Sequence, residues 1–248
     1  MSTGPCWTRI VANRAALLLL AATAGCRLLT HAPTLPEEHR LVRQSLVIHS
    51  DFPLVSEHPM LEELTAERDA VGERLRIAVP EEPIPVYLFE TASAYHAYIG
   101  HRFPEFPQRR AFFVETAGRP AIYAYFGQRV AEDLRHEVAH GYLHAAVPDL
   151  PLWLDEGLAE YFEVPPGQHG FHDSHVSRLV ARLDMAAWKP ALRRLESIES
   201  VDQMEQDDYA EAWAWVHFLL ETSETRRRWL RAYVHDLSAG GDVEPLSH

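Results

Sequence analysis

The run Arg135-His136-Glu137-Val138-Ala139-His140 carries the spacing H-E-x-x-H. On a helix, two histidines four positions apart differ by about 40° in bearing and about 6 Å in rise, so both imidazoles leave one face and can reach one ion. His136 and His140 are therefore candidate zinc ligands. Glu137 leaves the helix about 100° away from His136, a bearing that suits a general base aimed at a metal-activated water rather than a ligand. The chemistry on offer is metal-assisted hydrolysis. It is incomplete as it stands, because a catalytic zinc takes three protein ligands and keeps a fourth position open.

A second segment follows, Trp153-Leu154-Asp155-Glu156-Gly157-Leu158-Ala159-Glu160-Tyr161. H-E-x-x-H followed by W-L-x-E-G-L-A-E-Y resembles the gluzincin metallopeptidases, most closely their compact peptidase MA-like branch. The resemblance is concentrated between Arg135 and Glu163. It implies Glu156 as the third ligand of a single zinc, Glu160 as the acid that supports a ligand histidine, and a peptide or protein as substrate. It further implies an α+β, zincin-like domain whose small N-terminal β-sheet is followed by a mainly helical part, with an edge strand that receives the substrate backbone. Ile122-Tyr123-Ala124-Tyr125 is the candidate edge, with an ordinary half-buried hairpin as the alternative. Related gluzincins place a tyrosine from a downstream helix over the site to stabilise the oxyanion; Tyr209 is the candidate here, with capping of the core as the alternative.

Some features depart from the wider family. The gap between His140 and Glu156 is shorter than in thermolysin or the large aminopeptidases, and Asp155 replaces the asparagine usual before the ligand in the latter. The G-x-M-E-N segment with which aminopeptidases hold a free N-terminus is missing, so endopeptidase action is expected. The metzincin pattern is excluded, since Ala146 stands where its third histidine would be.

These residues need elements to position them. Ser45–Ser50 and Ile84–Phe89 read as strands, and Met60–Ile77 as an amphipathic helix stopped before Pro80. A short helix over Thr91–Ile99 precedes a loop rich in Pro and Arg, and Ala111–Glu115 with Ala121–Phe126 form a hairpin. The metal helix runs from about Val130 to Ala145, limited by Pro148. Pro151 opens the next helix, which ends before Pro165-Pro166-Gly167. Gly157 is expected to let its backbone come close to the metal helix. Asp155 fits the positive end of a helix dipole, and His144 reads as a surface or second-layer histidine. His169, His172 and His175 read as incidental histidines of a solvated loop, with metal binding in a flexible loop as the alternative. Arg226–Arg228 and Arg231 read as the solvated side of a terminal helix, and Trp213, Trp215 and Phe218 as core.

The 248 residues fit one domain, and a net charge of −13 is a poor match for nucleic acid. Residues 1–25 have the form of an export signal, with Arg9 and Arg14 before the apolar run Ala15–Ala22. Thr23-Ala24-Gly25-Cys26 resembles a bacterial lipobox, which implies acylation at Cys26, a tether over 26–41, and a single peptidase domain over 42–248. The expected location is therefore the cell envelope, by a lipid anchor in a bacterial membrane. With Cys6 in the removed segment, the mature chain has no internal disulfide. Two other readings stand beside the peptidase: a non-catalytic envelope lipoprotein using a zincin-like fold as a binding module, and a structural lipoprotein with an accidental motif. Glu137 separates the first from catalysis, since a structural zinc has no use for it.

Overall fold

A computed structural model describes residues 32–185, 188–240 and 243–248. The expected export signal and Cys26 fall outside them. No helix among the described residues is long and apolar enough to cross a membrane.

The first half builds a five-stranded sheet. Its strands are β1 (His39–Arg43), β2 (Leu46–Ser50), β3 (Ile84–Phe89), β4 (Ala111–Thr116) and β5 (Arg119–Tyr125), in the order β1-β2-β3-β5-β4. The inner pairings β2–β3 and β3–β5 are parallel, and both outer pairings are antiparallel. Parallel neighbours need crossovers, and two helices supply them: α1 (Pro59–Leu75) between β2 and β3, and α2 (Ala92–Arg102) after β3. Each begins where the sequence offers a cap. His58 Nδ1 accepts from the Met60 N–H with Pro59 at the first helical position, and Thr91 Oγ1 accepts from the Ala94 N–H.

Side-chain alternation along the strands sorts the sheet into two apolar faces. Leu46, Ile48, Ile84, Val86, Leu88, Ile122 and Ala124 point into the main core with α1 and the C-terminal helices. Phe89, Phe112 and Tyr123 point the other way, into an aromatic cluster closed by Tyr95, Tyr98, Ile99 and Phe103 of α2 and the residue after it.

Two expectations about the sheet are corrected. Ile122–Tyr125 is not the edge, because β5 has β3 on one side and β4 on the other. Of this hairpin, the outer strand is β4, whose Glu115 and Thr116 are exposed, whereas Ile122 and Ala124 are fully buried, as suits an inner strand. The tether also ends earlier than residue 41: His39, Arg40 and Leu41 already pair with Ser50, His49 and Ile48, and Leu41 packs on the core.

The second half is helical: α3 (Val130–Ala146), α4 (Leu152–Phe162), α5 (Asp173–Asp184), α6 (Leu192–Glu196), α7 (Gln206–Glu221) and α8 (Glu224–Ser238). The molecule is thus α+β, sheet first and helices after. A capping box opens α7, in which Glu205 and Asp208 exchange backbone N–H bonds. Gly157 of α4 faces α7 and not α3. A Cβ there would meet the Ala212 carbonyl oxygen at 2.6 Å, so the glycine sets how closely α4 and α7 pack.

Candidate metal centre

α3 lies against β4, β5 and α4 and brings His136 and His140 to one buried point. Their Nε2 atoms are 3.2 Å apart, and Glu156 Oε2 from α4 lies 3.7 Å from each. A tetrahedron around a zinc bonded at about 2.0–2.2 Å has edges of about 3.3–3.6 Å, so these three atoms outline one of its faces. Glu156 is 4% exposed and its Oε2 is buried without a hydrogen-bond partner. A buried carboxylate oxygen left unpaired is costly. A cation between the three atoms would remove that cost. The donor set and the orphaned oxygen therefore fit the zinc site that the motif implies.

The remaining ring nitrogens are also held. Asp155 Oδ2 is 2.9 Å from His140 Nδ1, and Glu163 Oε2 is 3.0 Å from His136 Nδ1. A carboxylate at Nδ1 fixes the tautomer that leaves the Nε2 lone pair for a metal. Glu163 is itself anchored, because Arg135 Nε donates to its carbonyl at 2.6 Å while Arg135 Nη1 reaches Glu63 at 2.5 Å. Asp155 Oδ2 serves a second ring as well, His144 Nε2 at 3.1 Å.

Charge follows this arrangement in the metal-free chain. Burial works against protonating His136 and His140, but Glu156 and Glu163 around the first and Asp155 beside the second outweigh it, and both rings are raised above the ordinary histidine range. Burial alone would raise the Asp155 carboxyl; His140 and His144 hold it well below the carboxylate range instead. Glu137 behaves differently. Burial pushes its carboxyl up despite His136, His140 and the Phe113 N–H, which donates to its Oε2 at 2.6 Å. A carboxyl biased toward holding a proton thus sits between the ligand pair and the edge strand β4.

Three expectations change at this site. Glu160 does not support a ligand histidine, since its Oε2 pairs with His175 Nε2 at 2.7 Å. The acid that meets His136 is instead Glu163, the residue just past the end of α4. Asp155 is no mere dipole partner, being 2% exposed and shared by two imidazoles. Of the two readings for His144 the structure fits the second-layer one, since it lies behind His140 among Asp155, Glu115 and the Phe113 ring. Neither His172 nor His175 belongs to a solvated loop: His172 immediately precedes α5 and His175 lies within it, paired with Glu163 and Glu160. His169 stands apart and meets Arg74.

Tyr209, in the first turn of α7, is 8% exposed, and its hydroxyl accepts from Arg109 Nη2 at 3.1 Å. Burial raises its pKa first and the Glu156 charge adds to that, which places the phenol within the electrostatic reach of the ligand set. Burial would lower Arg109, but Tyr209, Glu156 and Glu137 raise it overall. The arginine comes from the loop leading into β4, whose richness in arginine was its only sequence signal.

Residues 130–239 match a family model described as a protein of unknown function, DUF1570. The chain is also similar to the crystal structure of an M1 zinc metallopeptidase from Deinococcus radiodurans, at 20% identity and a TM-score of 0.44. That similarity covers 82% of this chain and 42% of the other, so the chain spans less than half the length of that enzyme. No curated protein matches the sequence.

Proposed function

We propose that this protein is a zinc-dependent metallopeptidase that hydrolyses internal peptide bonds of peptides or proteins at the cell envelope, held there by a lipid on Cys26. The observation that carries the reading is the buried Glu156 Oε2, which has no hydrogen bond and faces, at 3.7 Å each, two imidazole Nε2 atoms whose opposite nitrogens are already fixed by carboxylates.

His136, His140 and Glu156 would hold the ion. When bound, zinc supplies a Lewis acid that polarises a carbonyl oxygen and brings the pKa of a water to about 7. Everything else is work for the chain's own groups. Glu137 takes a proton from the attacking water on its carboxylate and delivers it to the departing nitrogen, a task that suits a carboxyl raised by burial. Arg109 and the Tyr209 hydroxyl bring donors to the same region, where negative charge grows on the carbonyl oxygen. The free edge of β4 gives an extended peptide a row of main-chain partners, next to the Phe113 N–H that Glu137 already uses.

The test pairs zinc content with cleavage of a denatured protein followed by mass spectrometry. Wild-type protein is expected to bind zinc and cut, and Glu137→Gln to bind zinc without cutting. A Glu137→Gln variant with undiminished cleavage would contradict the mechanism. Bound zinc with no cleavage by either protein would favour the binding-module reading.

A further inference from the structure

Beside the first centre lies a second convergence of the same donor types. Glu160 Oε2, from the last turn of α4, is 2.7 Å from His175 Nε2 and 3.8 Å from His172 Nε2, and the three donor atoms lie within 4.8 Å of one another. We propose that Glu160, His172 and His175 form a second site for a divalent transition-metal ion, with Glu163 within reach as a fourth donor.

Several independent features support a built site. The side chains are largely buried, at 13%, 18% and 10% exposure for Glu160, His172 and His175. Ser174 Oγ lies 3.0 Å from His172 Nδ1, so the outer nitrogen is engaged and Nε2 turns inward, the device seen at His136 and His140. The two imidazoles stack with centroids 4.0 Å apart, an arrangement that like charges would oppose if both rings were protonated. Trp213 walls the cluster, with its ring 5.5 Å from His175 and its Nε1 donating to the Gly170 carbonyl at 2.8 Å.

Charge balance points the same way. Among the described residues, the carboxylates of Glu160 and Glu163 have only histidines as ion-pair partners. Two carboxylates and two imidazole nitrogens converging here make a donor set that one divalent cation would satisfy. Imidazole with carboxylate is a donor set for zinc and its first-row neighbours rather than for calcium or magnesium. Glu163 also joins the two centres, because Oε2 holds His136 Nδ1 at 3.0 Å while Oε1 holds His172 Nε2 at 2.7 Å. An ion here would clip α5 to α4 and steady the carboxylate that orients a ligand of the first site.

The full chain, stripped with chelator and dialysed against Zn2+, is counted for metal by atomic emission, with far-UV circular dichroism as a check on folding. Wild type should hold two equivalents; His172→Ala with His175→Ala, and separately Glu160→Gln, should each hold one. Glu160→Gln keeps the side chain's size and hydrogen-bonding capacity, so its loss of an equivalent reads coordination and not collapse. Co2+ titration should show two absorbing sites in wild type and one in these variants. One equivalent in wild type, unchanged in both variants, would overturn the second site and leave the first intact. One equivalent in wild type that survives Glu156→Ala but disappears in the His172/His175 variant would support the second site and remove the first.

Discussion

Replacing Gly157 with alanine tests whether the approach of α4 to α7 holds the ligand helix in place. The added methyl would lie 2.6 Å from the Ala212 carbonyl oxygen, 2.8 Å from its carbonyl carbon and 2.9 Å from Val216 Cγ2, where ordinary contact begins at 3.4 Å. Two of these atoms are backbone in the middle of α7 and cannot rotate aside, so the helices must separate. Two effects compete. Alanine gains about 0.8–1 kcal/mol over glycine in a helix interior, and overpacking costs about 1–3 kcal/mol. Rigid backbone at the contact puts the cost at the upper end, for a net loss of about 1–2 kcal/mol, or a Tm lower by about 2–8 °C at this size. Gly100, on α2 and exposed, supplies the control: nothing lies within 4 Å of its would-be methyl. Gly100→Ala should therefore raise Tm by about 1–4 °C. Thermal and urea unfolding of both variants measure the difference. Because Glu156 adjoins Gly157, zinc affinity should fall in Gly157→Ala alone. If Gly157→Ala is as stable as Gly100→Ala and binds zinc as wild type does, the packing argument fails.

Other consequences follow from the same geometry. Asp155→Asn should weaken zinc binding about 10–100-fold by loosening His140, read by competition with a coloured chelator; unchanged affinity would show that His140 needs no orienting partner. Tyr209→Phe should lower turnover by about 10²-fold with zinc content and Tm held, the mark of a donor to developing charge. Equal loss of folding would assign the tyrosine to the core. In the metal-free chain, burial lowers His144 but Asp155 and Glu115 more than reverse it, to about 10 from the ordinary 6.5. Since the folded value is the higher, its stabilisation is complete below about pH 6.5 and is lost as pH rises toward about 10. His144→Gln should therefore flatten the fall in urea midpoint between about pH 6 and about pH 9; a variant that declines as steeply as wild type would contradict this.

The candidate ligand set was legible in the sequence because its signal is local. H-E-x-x-H fixes His136 and His140 by helical spacing alone, and the resemblance around Glu156 adds a donor that α4 does deliver to the same point. Elements with strong periodicity or clear breakers were equally readable, such as Ile84–Phe89 and the helix capped by Thr91. What remained hidden depends on distances between elements. The choice between Glu160 and Glu163 turns on where His172 and His175 arrive from α5, since His175 engages Glu160 and leaves His136 to the next acid. Asp155 looked like a dipole partner because nothing in its own helix reveals that two histidines of α3 converge on it. The edge strand was misassigned for a similar reason: a hairpin announces two strands but not which of them pairs with β3. Gly157 announced a close approach without naming the helix approached.

The most direct test is the zinc bound per full chain after exhaustive dialysis, for wild type, Glu137→Gln and Glu156→Ala. Glu156→Ala should hold one equivalent fewer than wild type, and Glu137→Gln as many as wild type. Equal content in wild type and Glu156→Ala would mean that His136, His140 and Glu156 do not hold a metal together, and the peptidase reading would fall with them.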